Sequence, residues 1–210
     1  MKTDKIKISK DGQGMDEALK MADHIAVLIR LSPKNTFHFR LLAEEMFSML
    51  KAITGEFSAD FWIEENNGNC ALHLVTKSDL DYGKRHELLS VSTTGENIAP
   101  RGIMEKIREI IQAGLYHAEE SFELQAQYGA GMFPYGALGM IDDGMSDAVY
   151  AWSMQKYKDE VEAERKDNDN PAAEEAWDEL EKSIIANIAD EIRVGVRKDS
   201  AELIVLKKFN

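Results

Sequence analysis

Leu31-Ser32-Pro33-Lys34-Asn35-Thr36-Phe37-His38-Phe39-Arg40-Leu41-Leu42-Ala43-Glu44-Glu45 is the stretch on which the reading of the fold turns. Ser32 can cap free backbone N–H groups, and Pro33 fits a first helical position, where a missing N–H costs nothing. A helix is therefore expected from Pro33 to about Ile53, with Gly55 as its stop. Its apolar residues Phe37, Leu41, Leu42, Met46, Phe47, Met49, Leu50 and Ile53 cover more than half its circumference, which predicts a central, mostly buried helix. Just upstream, Met15 to Arg30 repeats Leu19, Ala22, Ala26 and Ile29 at a near-3.6 period, the mark of an amphipathic helix. Ahead of it, Lys5 to Ser9 alternates polar and apolar as an edge strand does, until Asp11-Gly12-Gln13-Gly14 breaks the pattern.

Downstream, Phe57 to Glu64 alternates with Phe57, Ala59, Phe61 and Ile63 on one side, and Cys70 to Thr76 reads as its return strand. Asn67-Gly68 between them is a favoured type I′ pair, because both central residues must take positive φ. The span from Lys77 to Pro100 is polar and irregular. Arg101 to about Gln127 reads as helix, with Ile103, Ile107, Ile110, Ile111 and Leu115 as its buried stripe. After a Gly- and aromatic-rich stretch, Tyr128 to Gly136, two helices are expected at about 145–166 and 172–189. Glu191–Val196 and Glu202–Leu206, joined at Lys198-Asp199-Ser200, read as a terminal hairpin. Strands at both ends and in the middle, with helices between, imply an α+β fold in which helices pack on one sheet face.

The 210 residues suit one domain, and 44% hydrophobic with 30% charged residues is a globular composition. The net charge of −13 argues against nucleic-acid binding, since counterion release needs a basic face. Eleven acidic and two basic residues between Asp159 and Glu181, a local net of −9, concentrate most of it in one span, read as a solvated helical surface or an interaction face. One cysteine, Cys70, excludes an internal disulfide. No apolar leader follows Met1, and the longest charge-free stretch, Leu124–Ile141, has two glutamines near its start and is too rich in Gly and Pro from Tyr128 to Ile141 to span a bilayer. A cytoplasmic chain without membrane contact is the expectation.

The order strand, helix, long helix, hairpin, irregular loop, helix, hairpin resembles the histidine-kinase-like ATPase fold, and more narrowly the bacterial anti-sigma-factor serine kinases. The run Leu31–Glu45 is similar to the family's "L-S-x-x-D…R-L-A-V-x-E" segment. Gly102-Ile103-Met104-Glu105-Lys106-Ile107 stands where its glycine-rich box opens a helix, and Ile188 to Phe209 looks like its closing hairpin. The resemblance implies a two-layer α/β sandwich forming a single domain over 1–210, with its core in 4–113 and 184–208 and a helical insertion at 114–183. In the family, a Glu and an Asn four residues later on the long helix hold the magnesium–nucleotide site. Those positions fall here on Glu45 and Met49, and a thioether is a poor ligand for a hard cation. The Asp-x-Gly that would read adenine is replaced around Thr76–Asp81, where Asp79 or Asp81 would serve only in a shifted register. Of the phosphate-binding glycines, Gly102 alone remains beside Pro100 and Arg101.

Glu45 is the one candidate for catalysis: it shares a stripe with Leu41 and Met49, and burial there would suit it to act as a base. The alternative for Glu45 is a carboxylate reaching solvent, or one paired with a base such as Arg40. Thr93, Thr94, Gly95 and Asn97, with Asp79 and Gly102, are the positions that would contact a nucleotide if one binds; the loop 93–97 also reads as an ordinary exposed loop. The five histidines show no metal spacing, and no metal site is expected. The expected function is a non-catalytic regulator acting by protein–protein interaction, without cofactor. Kinship implies a sigma-factor-like or anti-anti-sigma-like partner and admits a homodimer. The alternative is an ATP-binding serine kinase that uses magnesium.

Overall fold

The computed structural model describes residues 1–9, 11–53, 58–77, 107, 111, 150–167, 171–197 and 200–209. The described elements run β1 (Ile6–Ser9), α1 (Met15–Leu28), α2 (Pro33–Ile53), β2 (Ser58–Asn66) and β3 (Asn69–Lys77). After these come β4 (Tyr150–Ser153), α3 (Met154–Asp167), α4 (Pro171–Lys182), α5 (Ile184–Ile188), β5 (Glu191–Val196) and β6 (Ser200–Lys208). The six strands form one antiparallel sheet in the order β1-β2-β3-β6-β5-β4.

Strand parity decides which face is covered. Ile6 and Ile8, Ala59, Phe61 and Ile63, Leu72 and Leu74, Leu203 and Val205, and Ile192 and Val194 are buried together, and cross-strand register places them on one face. Against that face lie Ala18, Ala22, Ile25 and Ala26 of α1, and Phe39, Leu42, Ala43, Met46 and Phe47 of α2. Phe47 meets Phe61 edge-on at 5.1 Å, and Phe39 meets Phe209 edge-on at 5.5 Å, geometries that suit aromatic quadrupoles. Mixed helix and antiparallel sheet, the expected α+β class, is what the chain adopts.

Local chemistry explains the turns. Ser32 Oγ accepts the Asn35 N–H at 3.3 Å, and its carbonyl accepts the Thr36 N–H at 2.8 Å, so Ser32 caps α2 with Pro33 in the first turn. At the end of α1, Leu31 N–H bonds the Ala26 carbonyl and Arg30 N–H bonds Val27, closing a Schellman turn. Its left-handed residue is Arg30, at φ 57°, where glycine is usual. In the β2–β3 hairpin, Asn67 and Gly68 take φ of 50° and 80°, the expected I′ geometry. Gly68 is also obligatory for space: a Cβ there would sit 2.6 Å from the Phe209 carbonyl oxygen.

Three expectations are corrected. Within the stretch expected to be helical from about 145 to 166, Tyr150–Ser153 form strand β4, paired to β5, and helix α3 starts at Met154; so the segment read as a helical insertion also supplies an edge strand to the sheet. The helix expected over 172–189 is two, because Ser183 takes an extended conformation and caps α5 by accepting the Ala186 N–H. And α2 is not buried on most of its circumference: Phe37 is 63% exposed, and the described buried residues keep to one face.

Candidate functional site

Two regions carry polar chemistry. The first is the flank of α2, where the resemblance would put a nucleotide. Glu45 is half-buried beside the core residue Met46, and the backbone stays helical through Met49. Glu45 and Met49 are thus one turn apart on the same stripe. Arg40 does not reach Glu45: it bonds Glu44 at 2.9 Å and Asp23 of α1, and those two carboxylates raise its pKa, the Glu44 bond most. Asp79, Asp81, Thr93, Thr94, Gly95, Asn97 and Gly102 lie outside the described residues. Ile107 and Ile111, from the helix expected after Gly102, are helical and buried in the core.

The second region lies on the sheet face opposite the helices, and sequence reading passed it over. Trp62 of β2 pairs directly with His73 of β3, and their rings stack at 4.7 Å with 5° between planes. The Nζ of Lys5 stands 4.5 Å and that of Lys2 5.4 Å from the Trp62 ring centroid, a cation–π arrangement. This packing leaves Trp62 only 7% exposed although no described helix covers that face. Glu64 accepts from Trp62 Nε1 at 3.0 Å and pairs with Lys2 at 2.8 Å. On the other side, His73 Nδ1 faces Glu202 of β6 at 3.5 Å, and Glu202 pairs with Arg197 at 3.1 Å.

These contacts set the charges. The bond from His73, followed by the Arg197 bond, outweighs burial and holds the Glu202 carboxyl below its ordinary pKa. Glu64 is also held low, first by its Lys2 bond and then by Trp62. His73 Nε2 is buried without a hydrogen-bond partner, 3.9 Å from Glu64 Oε1. The cluster therefore has an imidazole between two carboxylates, each with its own cation. Among the described residues, no hydroxyl or thiol is hydrogen-bonded to this imidazole. Cys70 points to the covered face, where burial pushes its thiol up to about 11 and keeps it unreactive. Further along the open face, a groove of about 660 Å³ runs over Glu64, Ala71, Leu206 and Glu191 toward the hairpin end. Several of the charged groups around it have partners: Lys207 bonds Asp190 at 2.8 Å, and Glu191 accepts from Ser153 and the Gln155 N–H.

Half of this cluster had a readable signal. A two-residue turn at Asn67-Gly68 fixes the hairpin register, which sets Trp62 opposite His73. Glu202 had none, because only the tertiary pairing of β3 with β6 brings it in. Among the described residues, no group of three or more His, Cys, Asp or Glu side chains is placed to hold a metal ion, and no helix is long and apolar enough to cross a membrane. No protein-family model, curated protein or solved structure matches the chain.

Proposed function

We propose that this protein is a non-catalytic regulator that works by binding another protein, on a scaffold of the histidine-kinase-like ATPase type resembling anti-sigma factors. The observation that carries the reading is the Glu45–Met49 spacing on one continuous helix. The position at which a kinase of this type would offer an amide oxygen to Mg²⁺ holds a thioether instead, which a hard cation does not favour. A two-layer arrangement with the long helix laid across one face of an antiparallel sheet is compatible with that scaffold. The partner would be sigma-factor-like or anti-anti-sigma-like, and a homodimer is part of the same proposal by kinship.

A second reading, an ATP-dependent serine kinase, has one observation in its favour: Glu45 is half-buried and has no hydrogen-bond or ion-pair partner among the described residues, as a base awaiting a hydroxyl would be. Isothermal titration with Mg·ATP separates the two. The regulator reading expects no heat of binding at micromolar nucleotide, in the wild type and in Glu45→Gln alike. Micromolar binding that disappears in Glu45→Gln would overturn the non-catalytic reading.

A further inference from the structure

We propose that the outer surface of the α1–α2 pair, at the end nearest the turn, is a docking surface for an acidic amphipathic helix of a partner protein. The proposal deepens the protein-binding reading and rests on it only in taking the partner to be a protein. Its basis is three exposed apolar residues and the charge around them. Val27 is 72%, Phe37 63% and Leu28 52% exposed. Asp23 of α1 bonds Arg40 of α2, and Val27 and Phe37 each lie about one turn from that pair toward the connecting turn, Val27 on α1 and Phe37 on α2.

The charge next to the turn is positive. The span 23–45 as a whole is neutral, with Arg30, Lys34 and Arg40 against Asp23, Glu44 and Glu45. Arg40 is held by Asp23 and Glu44, and all three acids lie farther from the turn, which leaves Arg30 and Lys34 as the charges nearest Val27 and Phe37. The first turn of α2 also lacks an acidic residue, so its positive helix end is not offset. Arg30 adds an independent sign. It occupies the left-handed position of the Schellman turn, where glycine would carry no Cβ penalty, and it is exposed. The Cβ cost at that position is the stability that Arg30→Gly would return, which makes the charge of Arg30 separable from its backbone role. An apolar stripe rimmed by Arg30 and Lys34 complements a helix with apolar residues at i, i+3, i+4 and i+7 flanked by glutamates.

The test uses the full chain and a fluorescent peptide of roughly 18 residues, five helical turns, with leucines at those spacings and glutamates beside them. The same peptide with lysines for the glutamates is the control. The glutamate peptide is expected to bind, more weakly as salt rises, and the lysine peptide not to bind. Phe37→Ser should weaken binding by about tenfold or more, while leaving the fold intact because Phe37 is exposed. Arg30→Gly should raise the thermal midpoint yet weaken binding, a combination that a purely structural role for Arg30 would not give. Failure of the glutamate peptide to bind at millimolar concentration, equal binding of both peptides, or binding indifferent to Phe37→Ser would each overturn the proposal. So would Phe37-dependent flotation with phosphatidylserine vesicles in place of peptide binding. Titration with Mg·ATP is read separately, so failure of the docking surface and failure of the non-catalytic reading give different results.

Discussion

Replacing Glu202 by Gln removes one negative charge from the open-face cluster and keeps its shape. Glu202 has a side-chain exposure of 13% and Arg197 24%, so their 3.1 Å pair is largely shielded from water. A hydrogen bond to a charged group contributes about 1.5–3 kcal/mol, against about 1 kcal/mol for a neutral one. Gln can still accept from Arg197, but as a neutral acceptor, and the longer 3.5 Å approach of His73 adds little. The expected loss at pH 7 is the difference, about 1 kcal/mol. With a urea slope of ~2–3 kcal/mol/M, the midpoint should fall by roughly 0.3–0.5 M. The pH dependence has a definite sign. The folded carboxyl is held below its ordinary value, so its stabilisation is present above the unfolded pKa of about 4.3 and is lost as pH falls through the lower folded value. Urea unfolding of Glu202→Gln and wild type at pH 7 and near pH 3 should therefore give curves that differ at the first and differ less at the second. A midpoint unchanged at pH 7, or a difference that persists undiminished in acid, would refute this account of the cluster.

Glycine replacements separate backbone strain from steric exclusion. Gly12→Ala, at φ +91° with only the Met15 sulfur 3.9 Å away, should cost about 1 kcal/mol. Gly68→Ala adds a 2.6 Å clash with the Phe209 carbonyl and should cost about 2–4 kcal/mol, both read by urea unfolding; equal costs would contradict the packing of the hairpin turn on Phe209. Ser32→Ala should lose about 1 kcal/mol through the α2 cap, checked by thermal unfolding. Cys70 should resist a thiol reagent at pH 8 in the native protein and react at once in denaturant, because burial both blocks it and raises its pKa to about 11.

The elements that could be read from sequence were those with local causes. Ser32-Pro33 marked the start of α2, and Asn67-Gly68 fixed the hairpin and its register. The errors also had local causes. Tyr150-Ala151-Trp152-Ser153 is too short to show a strand period, and it runs into α3 without Gly or Pro between. Ser153 and Ser183 were the missed signals: each accepts a backbone N–H three residues on, from Lys156 and Ala186, and so starts a new helix where a continuous one was expected. Phe37 was assigned to the core by hydrophobicity alone, although its position on α2 turns it away from Phe39, Leu42 and Met46. Of the site, the Trp62–His73 pair follows from the turn, whereas Glu202 and Arg197 arrive through pairing between strands far apart in sequence. The family's nucleotide positions beyond Glu45 and Met49 fall outside the described residues.

We propose that α2 does not hold a metal–nucleotide complex, because position 49 is Met where the pattern of the resembling family has an oxygen ligand. The most direct test is a crystal structure of the full chain grown with Mg·ATP in excess. The account predicts electron density free of nucleotide along the flank that bears Glu45 and Met49. Triphosphate and magnesium bound against that flank would contradict it.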